Sequence, residues 1–144
     1  MEEIPRLNTP VPLENSFDAT VGIEYLTIDP AEVVVSLEVR DDLLNENGCL
    51  HGGVYATLAE AMASIGTLAG VLEEGKVAMG MSVHSLVLRD VVDGLLEVRA
   101  NRIGQEPDRW IWQVESRQPG GELCALGTVT VAVRANPSGR PDGR

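Results

Sequence analysis

The sequence predicts an α+β domain in which one long buried helix lies against a curved, mainly antiparallel sheet. Three observations carry this. From Gly53 to about Leu72 there is no proline, and apolar residues recur at Val54, Leu58, Ala61/Met62, Ile65, Leu68/Ala69 and Leu72, close to the helical period. Val33, Val35, Leu37 and Val39 alternate with Val34, Ser36, Glu38 and Arg40, the period-two pattern of a strand. The order of elements is strand, strand, helix, then four strands; helices and strands do not alternate, which disfavours a parallel sheet.

In chain order, residues 1–16 carry Pro5, Pro10 and Pro12 and read as an extended arm. A first strand spans Val21–Ile28, and a second the alternating run after it. The helix faces outside its main stripe are rich in Ala, Ser and Gly, so it is expected to be buried on most sides. Glu73-Glu74-Gly75 ends it, with the glycine as a C-terminal stop. Residues 79–89, 95–103, 110–117 and 123–134 read as four further strands, with Val92-Asp93-Gly94 and Pro119-Gly120-Gly121 as turn signals. Residues 135–144, A-N-P-S-G-R-P-D-G-R, read as a flexible tail. Residues 17–134 thus form a single domain. At 144 residues and 44% hydrophobic content the chain can bury one core, and with 3% aromatics that core is built from Val, Leu, Ile, Ala and Met.

Composition removes several function classes. A formal net charge of -11 disfavours nucleic acid as the main partner, although a few local arginines can still hold an anionic small molecule. Cys49 and Cys124 lack metal-ligand spacing and read as reduced thiols, so no metal site is expected. The N-terminus has no signal-peptide pattern, no apolar run is read as long enough for a membrane span, and the expected compartment is the cytoplasm. With two histidines and no G-x-S-x-G, a Ser-His-Asp hydrolase is unsupported. Nicotinamide and nucleoside-triphosphate chemistry lack their glycine-rich loops.

Chemistry concentrates in Asn45–Ser64, N-E-N-G-C-L-H-G-G-V-Y-A-T-L-A-E-A-M-A-S. The Gly52-Gly53 pair at the helix start lets a ligand approach the backbone, and the first N–H groups of a helix attract anionic oxygen. Glu60 stands two turns further on, inside an apolar run where burying a lone carboxylate is costly, which points to a task for it. Ser64, four residues later, shares its face and can hold a water or the carboxylate. Gly52 can stabilise a developing oxyanion while Glu60 acts as nucleophile or general base. His51 reads as a loop-ordering residue, or a contact to the far end of a substrate, rather than as a base. His84 falls in a strand. Trp110 and Trp112 share one strand face and are expected to pack rather than to line a ligand slot.

The run L-H-G-G-x-Y-x-x-L-A-E-x-x-A-S resembles the hotdog-fold acyl-CoA thioesterases of the phenylacetate-degradation (PaaI-like) group, within it most closely the Arthrobacter-type 4-hydroxybenzoyl-CoA thioesterases. The segments A-M-G-M-S-V-H-S-L-V-L-R-D-V, R-W-I-W and G-E-L-C-A-L-G-T-V-T-V-A-V-R extend the likeness over roughly residues 20–134. The resemblance implies Glu60 as the catalytic carboxylate, Gly52 as the backbone donor to the thioester carbonyl, and Asn45 and Ser64 as assisting groups. His51, Gly53, His84, Arg89 and Arg109 are then candidate substrate contacts. It also implies no cofactor, an active site between two subunits, and dimers that pair into tetramers. Where such enzymes carry a Gly-Ser-Thr loop for coenzyme A phosphates, this chain has Gln105-Glu106-Pro107-Asp108-Arg109, so the cations left to compensate are Arg109, Arg89, Arg102 and Arg134. Two other readings stay open: a hotdog enoyl-CoA hydratase, and an acyl-CoA-binding or regulatory module without turnover.

Overall fold

A computed structural model of the chain describes residues 12–136. Residues 1–11 and 137–144, most of the expected arm and tail, lie outside the described residues. The elements are a five-residue helix α1 (Phe17–Val21), strands β1 (Glu24–Ile28) and β2 (Glu32–Glu38), the long helix α2 (Gly52–Val71), and strands β3 (Lys76–Val87), β4 (Leu95–Glu106), β5 (Arg109–Arg117) and β6 (Leu123–Ala135). One six-stranded sheet has the order β1-β2-β4-β5-β6-β3, with every neighbouring pair antiparallel. The expected architecture is therefore present, with one helix against one sheet.

Several boundaries differ for local reasons. The first strand, expected from Val21, begins at Glu24, because Val21 closes the short helix α1, which the sequence reading did not assign. The Ser16 side chain accepts a hydrogen bond from the Ala19 N–H at its start, and Gly22, at φ 95°, ends it in the left-handed region. β3 begins at Lys76 because Gly75, at φ 70°, turns the chain straight into it. β4 continues to Glu106, and Glu106 pairs with Arg109, so Pro107-Asp108 is the tip of a tight hairpin and not an open loop. β6 includes Ala135, and Asn136 is buried with its N–H donating to the Gly75 carbonyl.

Alternation along the strands fixes which face meets α2. On β5, Trp110, Trp112, Val114 and Ser116 are buried and pair with inner-face residues of β6. Trp112 is completely buried, and its indole N–H donates to Thr67 Oγ1 at 2.9 Å; that hydroxyl donates to the Ala63 carbonyl at 2.8 Å. The helix approaches this closely because Gly66 and Gly70 have no side chains. A Cβ at Gly66 would stand 2.5 Å from Trp112 Cη2, and one at Gly70 would overlap the Trp110 ring. The two tryptophans are packing residues, as expected, and Arg102 stacks over Trp110 at 4.7 Å.

The expectation that no segment matches a membrane span needs correction. Gly52–Glu74, 23 residues, is long and apolar enough to cross a bilayer by length and composition alone. Here most of that segment is buried inside the fold. Its apolarity serves packing on several sides at once.

Two substitutions test this account of the core. Thr67→Val strands a buried indole N–H and should cost about 1–3 kcal/mol. Gly66→Ala forces the Trp112 ring away and should cost at least as much, on the order of 1–3 kcal/mol for overpacking. Both are read as lowered denaturation midpoints.

Candidate active site

The N-terminus of α2 is built by the loop before it. Asn45 Oδ1 accepts from the N–H groups of Asn47 (3.0 Å) and Cys49 (3.2 Å), and the Asn45 N–H donates to the Cys49 carbonyl at 2.7 Å. Both partners of the oxygen are donors, so the amide orientation is fixed by chemistry. The Asn45 Nδ2 amide is left with no partner among the described residues, a donor on a clamped side chain. The His51 N–H donates to the Leu43 carbonyl, and the Leu50 N–H to Val91.

His51 is the N-cap of α2, with φ -61° and ψ 134°, and its Nδ1 accepts from the Gly53 N–H at 2.8 Å. With Nδ1 accepting, the neutral ring carries its proton on Nε2. Gly53 gives the imidazole room, since a Cβ there would sit 3.0 Å from His51 Nδ1 and press on the ring. The Val54 N–H donates to the His51 carbonyl. Of the first three helix N–H groups, only that of Gly52 has no partner among the described residues, and Gly52 is exposed. His51 thus directs the open helix end onto a single donor, a positioning role in line with the sequence reading.

Glu60 departs from expectation. It is exposed in the single chain, not buried in apolar surroundings, and makes no hydrogen bond or ion pair among the described residues. The reason lies in the helix faces. Gly53, Thr57, Glu60, Ser64 and Leu68, spaced by three and four, form the least buried row of α2. The carboxylate lies over Gly80 of β3, where a Cβ would stand 2.7 Å from Oε1. Gly80 adjoins a β-bulge, an irregularity common beside active sites. Ser64 Oγ, one turn on, is shielded from solvent and has no hydrogen-bond partner among the described residues. Tyr25 of β1 donates to Asp18 Oδ2 at 2.6 Å, and its phenol is pushed well above the ordinary range by burial, then by Asp18, with a smaller contribution from Glu60.

Other residues escaped the sequence reading. Gly80 had no local signal, since only the fold brings Glu60 over it. Tyr55 is buried with a hydroxyl that has no partner among the described residues, and burial first, then Cys124, Asp90 and Cys49, pushes it up to about 12, so it stays a neutral phenol. Its place in the glycine-led motif was the available clue.

Within one chain these groups do not meet. Gly52 and Glu60 are eight residues apart, about 12 Å along the helix axis. On β3, Val87 packs beside Gly52, its Cγ2 3.9 Å from where a Gly52 Cβ would be, while Glu60 lies over Gly80. Those two strand positions are roughly 20 Å apart. The remaining candidates scatter. His84 pairs with Thr128, on the sheet face away from α2, so it does not join Gly52 or Glu60 in one chain. Arg89 is ion-paired with Glu122. Arg102 donates to the Pro30 carbonyl and Arg134 to the Asp108 carbonyl, so both hold structure together. Arg109 stands exposed at the β4–β5 hairpin. A cleft of about 480 Å³ is lined by Gly70, Lys76, Arg102 and Trp110 at the far end of α2, roughly 27 Å along the axis from Gly52.

No protein-family model matches the chain. A Haemophilus influenzae protein named as an esterase is 33% identical over 121 residues, covering 83% of this chain and 86% of its own length. The 1,4-dihydroxy-2-naphthoyl-CoA hydrolase of Listeria monocytogenes is 30% identical over 115 residues, covering 80% of this chain and 93% of that protein. Among solved structures, a Haemophilus influenzae thioesterase superposes with a TM-score of 0.76 at 28% identity, covering 90% of this chain and 94% of that one. An esterase-named protein of Mycobacterium tuberculosis gives 0.80 at 25% identity, covering 83% and 96%. The helix-on-sheet architecture, the glycine-led helix end and these relatives agree, and the chain belongs to the hotdog-fold thioesterase family.

Proposed function

We propose that the protein hydrolyses acyl-CoA thioesters to a free acid and coenzyme A, at a site completed by a second copy of the chain. The observation that carries this reading is the pairing of one free helix-end N–H, at Gly52, with one unpartnered carboxylate, at Glu60, too far apart in a single chain to act on one carbonyl. A donor acts about 3 Å from the oxyanion, and an attacking atom starts about 3 Å from the carbon.

The free edge of β3 supplies a way to bring them together. β3 is bonded only to β6, and its other edge presents Met79, Met81, Val83, Leu86 and Val87 exposed, an edge that proteins normally cover. Antiparallel pairing with a two-fold copy must match faces. Val83, Ser85 and Val87 share the helix side with their β6 partners Val129, Gly127 and Ala125, whereas Ser82, His84 and Leu86 face away. A two-fold axis at His84 satisfies this. It sets Val83 opposite the partner subunit's Ser85, and the bulged Gly80–Met81 opposite the partner subunit's Val87. Glu60 over Gly80 then arrives beside the partner subunit's Gly52.

In that arrangement the Gly52 N–H and the Asn45 amide polarise the thioester carbonyl, helped by the helix dipole. Glu60 either attacks the carbon or takes the proton of the water that does, and the thiolate of coenzyme A leaves. The unpartnered Ser64 hydroxyl beside Glu60 favours the water route, since it offers that water a second hydrogen bond. His51 holds the helix end. The Listeria relative's name and the Arthrobacter-type likeness both favour an aryl acyl group. The cytoplasm, where coenzyme A esters are made, is the compartment we assign, and further pairing of dimers into tetramers fits the same family. Arg109 and Arg89 are the candidate phosphate contacts, the latter after exchange from Glu122.

Three outcomes are expected. Glu60→Gln should lower kcat about 100- to 10,000-fold in thiol release across aryl- and alkyl-CoA substrates, with the dimer intact by sedimentation; unchanged release sinks the mechanism. Hydration of an unsaturated acyl-CoA without thiol release would point to the hydratase, and tight binding without turnover to the binding module. Gly52→Pro deletes the free N–H at a helix position where proline is tolerated, after a His51 already in the extended region, and should cost about 100- to 1000-fold in kcat with little change in melting temperature. Finally, Glu60→Gln and Gly52→Pro chains mixed through unfolding and refolding should regain about a quarter of wild-type activity, since half the dimers are mixed and each holds one intact site. No recovery would mean that the site is not shared.

A further inference from the structure

A cleft of about 270 Å³ lies between α1 and the first turns of α2. Its walls are the apolar side chains of Phe17, Val21, Leu43, Leu44 and Val54, and its floor runs along His51, Gly53 and Thr57. We infer that this cleft receives the acyl group of the thioester, that Phe17 and the Arg40 clamp set its size, and that it selects acyl groups without a terminal charge. This rests on the thioesterase reading above and adds to it which acyl groups are taken.

Position is the first argument. The cleft is lined by the residues on either side of Gly52, so a group seated in it ends at the free N–H. Size is the second. At about 270 Å³ it falls below the roughly 300–1,000 Å³ of pockets for drug-sized ligands, which suits a short or single-ring acyl group and excludes a nucleotide. Charge is the third. The one charged residue lining the cleft is Asp42, and the one imidazole, His51, has Nδ1 occupied by the Gly53 N–H. A phosphate or a terminal carboxylate would find no cation in the lining. Phe17 is 66% exposed, so its ring stands accessible in the cleft wall.

Arg40 fixes the width. Its guanidinium donates to Asp42 Oδ1 (3.0 Å), to the Val21 carbonyl (2.8 Å) and to the Thr20 carbonyl (3.3 Å). It thereby ties the last turn of α1 to the Asp41–Leu43 turn that forms the opposite wall. Gly22 leaves room for it, since a Cβ there would overlap the guanidinium. Arg40 is consequently a positioning residue, engaged on three sides and not available to a substrate carboxylate.

The test uses non-hydrolysable thioethers of coenzyme A carrying ethyl, hexyl or 5-carboxypentyl groups, with binding measured by calorimetry beside thiol release from the matching esters. In the wild type, hexyl should bind much more tightly than ethyl, by up to about fourfold for each methylene buried, and 5-carboxypentyl should lose that gain. Phe17→Ala should flatten the ethyl-to-hexyl difference by about three- to tenfold. Phe17→Arg should shift preference toward 5-carboxypentyl by about two- to fivefold. An ethyl-to-hexyl ratio unchanged in both variants overturns the cleft assignment, even if Glu60→Gln abolishes thiol release. A Phe17-dependent ratio in a protein that releases no thiol upholds the cleft and overturns the hydrolase reading instead.

Discussion

The distance of α2 from the sheet governs the rest of the molecule. Two indole rings rise from β5 into the space where helix side chains would normally stand, and Gly66 and Gly70 give way to them. Thr67 then holds the Trp112 N–H inside the core, so a buried polar group is satisfied at the point of closest approach. With the C-terminal half of the helix locked at this contact, its N-terminal half has one direction available. Gly52 is carried to the end of β3 near Val87, and Glu60 to the middle of that strand over Gly80. The chemistry at one end of the helix is therefore placed by packing at the other.

The loop before α2 spends its polar groups selectively. Asn45 commits its oxygen to the turn, and His51 commits Nδ1 to Gly53. What remains is a small set of donors, the Gly52 N–H, the Asn45 amide and the His51 Nε2–H, on residues anchored by their other hydrogen bonds. Preorganisation of this kind is what makes donors effective toward developing charge, because they need not reorient during reaction. Glu60 and Ser64 form the complementary set, an acceptor and a hydroxyl with their hydrogen bonds unmade.

Much of this was legible in the sequence because it is local. The helical period, the glycine pair and the spacing of Glu60 and Ser64 are properties of one segment, and the structure places them on one helix face. Strand identity followed from alternation, although the ends of β3 and β4 depended on Gly75 and on the Glu106–Arg109 pairing. The short helix α1 was missed because five residues between a serine cap and a glycine stop carry too little periodicity to compete with the strand that follows. The exposure of Glu60 was misread for a related reason: an apolar composition around a helix does not reveal which face the sheet leaves uncovered. Gly80, Tyr25 and the partners of the arginines are joined to the site across long stretches of chain, and no local pattern encodes such contacts.

The burial of α2 also bears on how the chain reaches this state. Most of its cover comes from β3 to β6, all of which follow it in sequence, while β1 and β2 supply only one flank. During synthesis a 23-residue apolar helix of bilayer length therefore emerges before the strands that enclose it. Those strands must close through long-range antiparallel pairings, which form slowly. Until β6 has joined β5 and β3, the helix is a hydrophobic surface open to chaperones, to membranes and to other nascent chains. The feature that gives the finished domain its tight core thus makes its unfinished forms the most adhesive stage in the life of this protein.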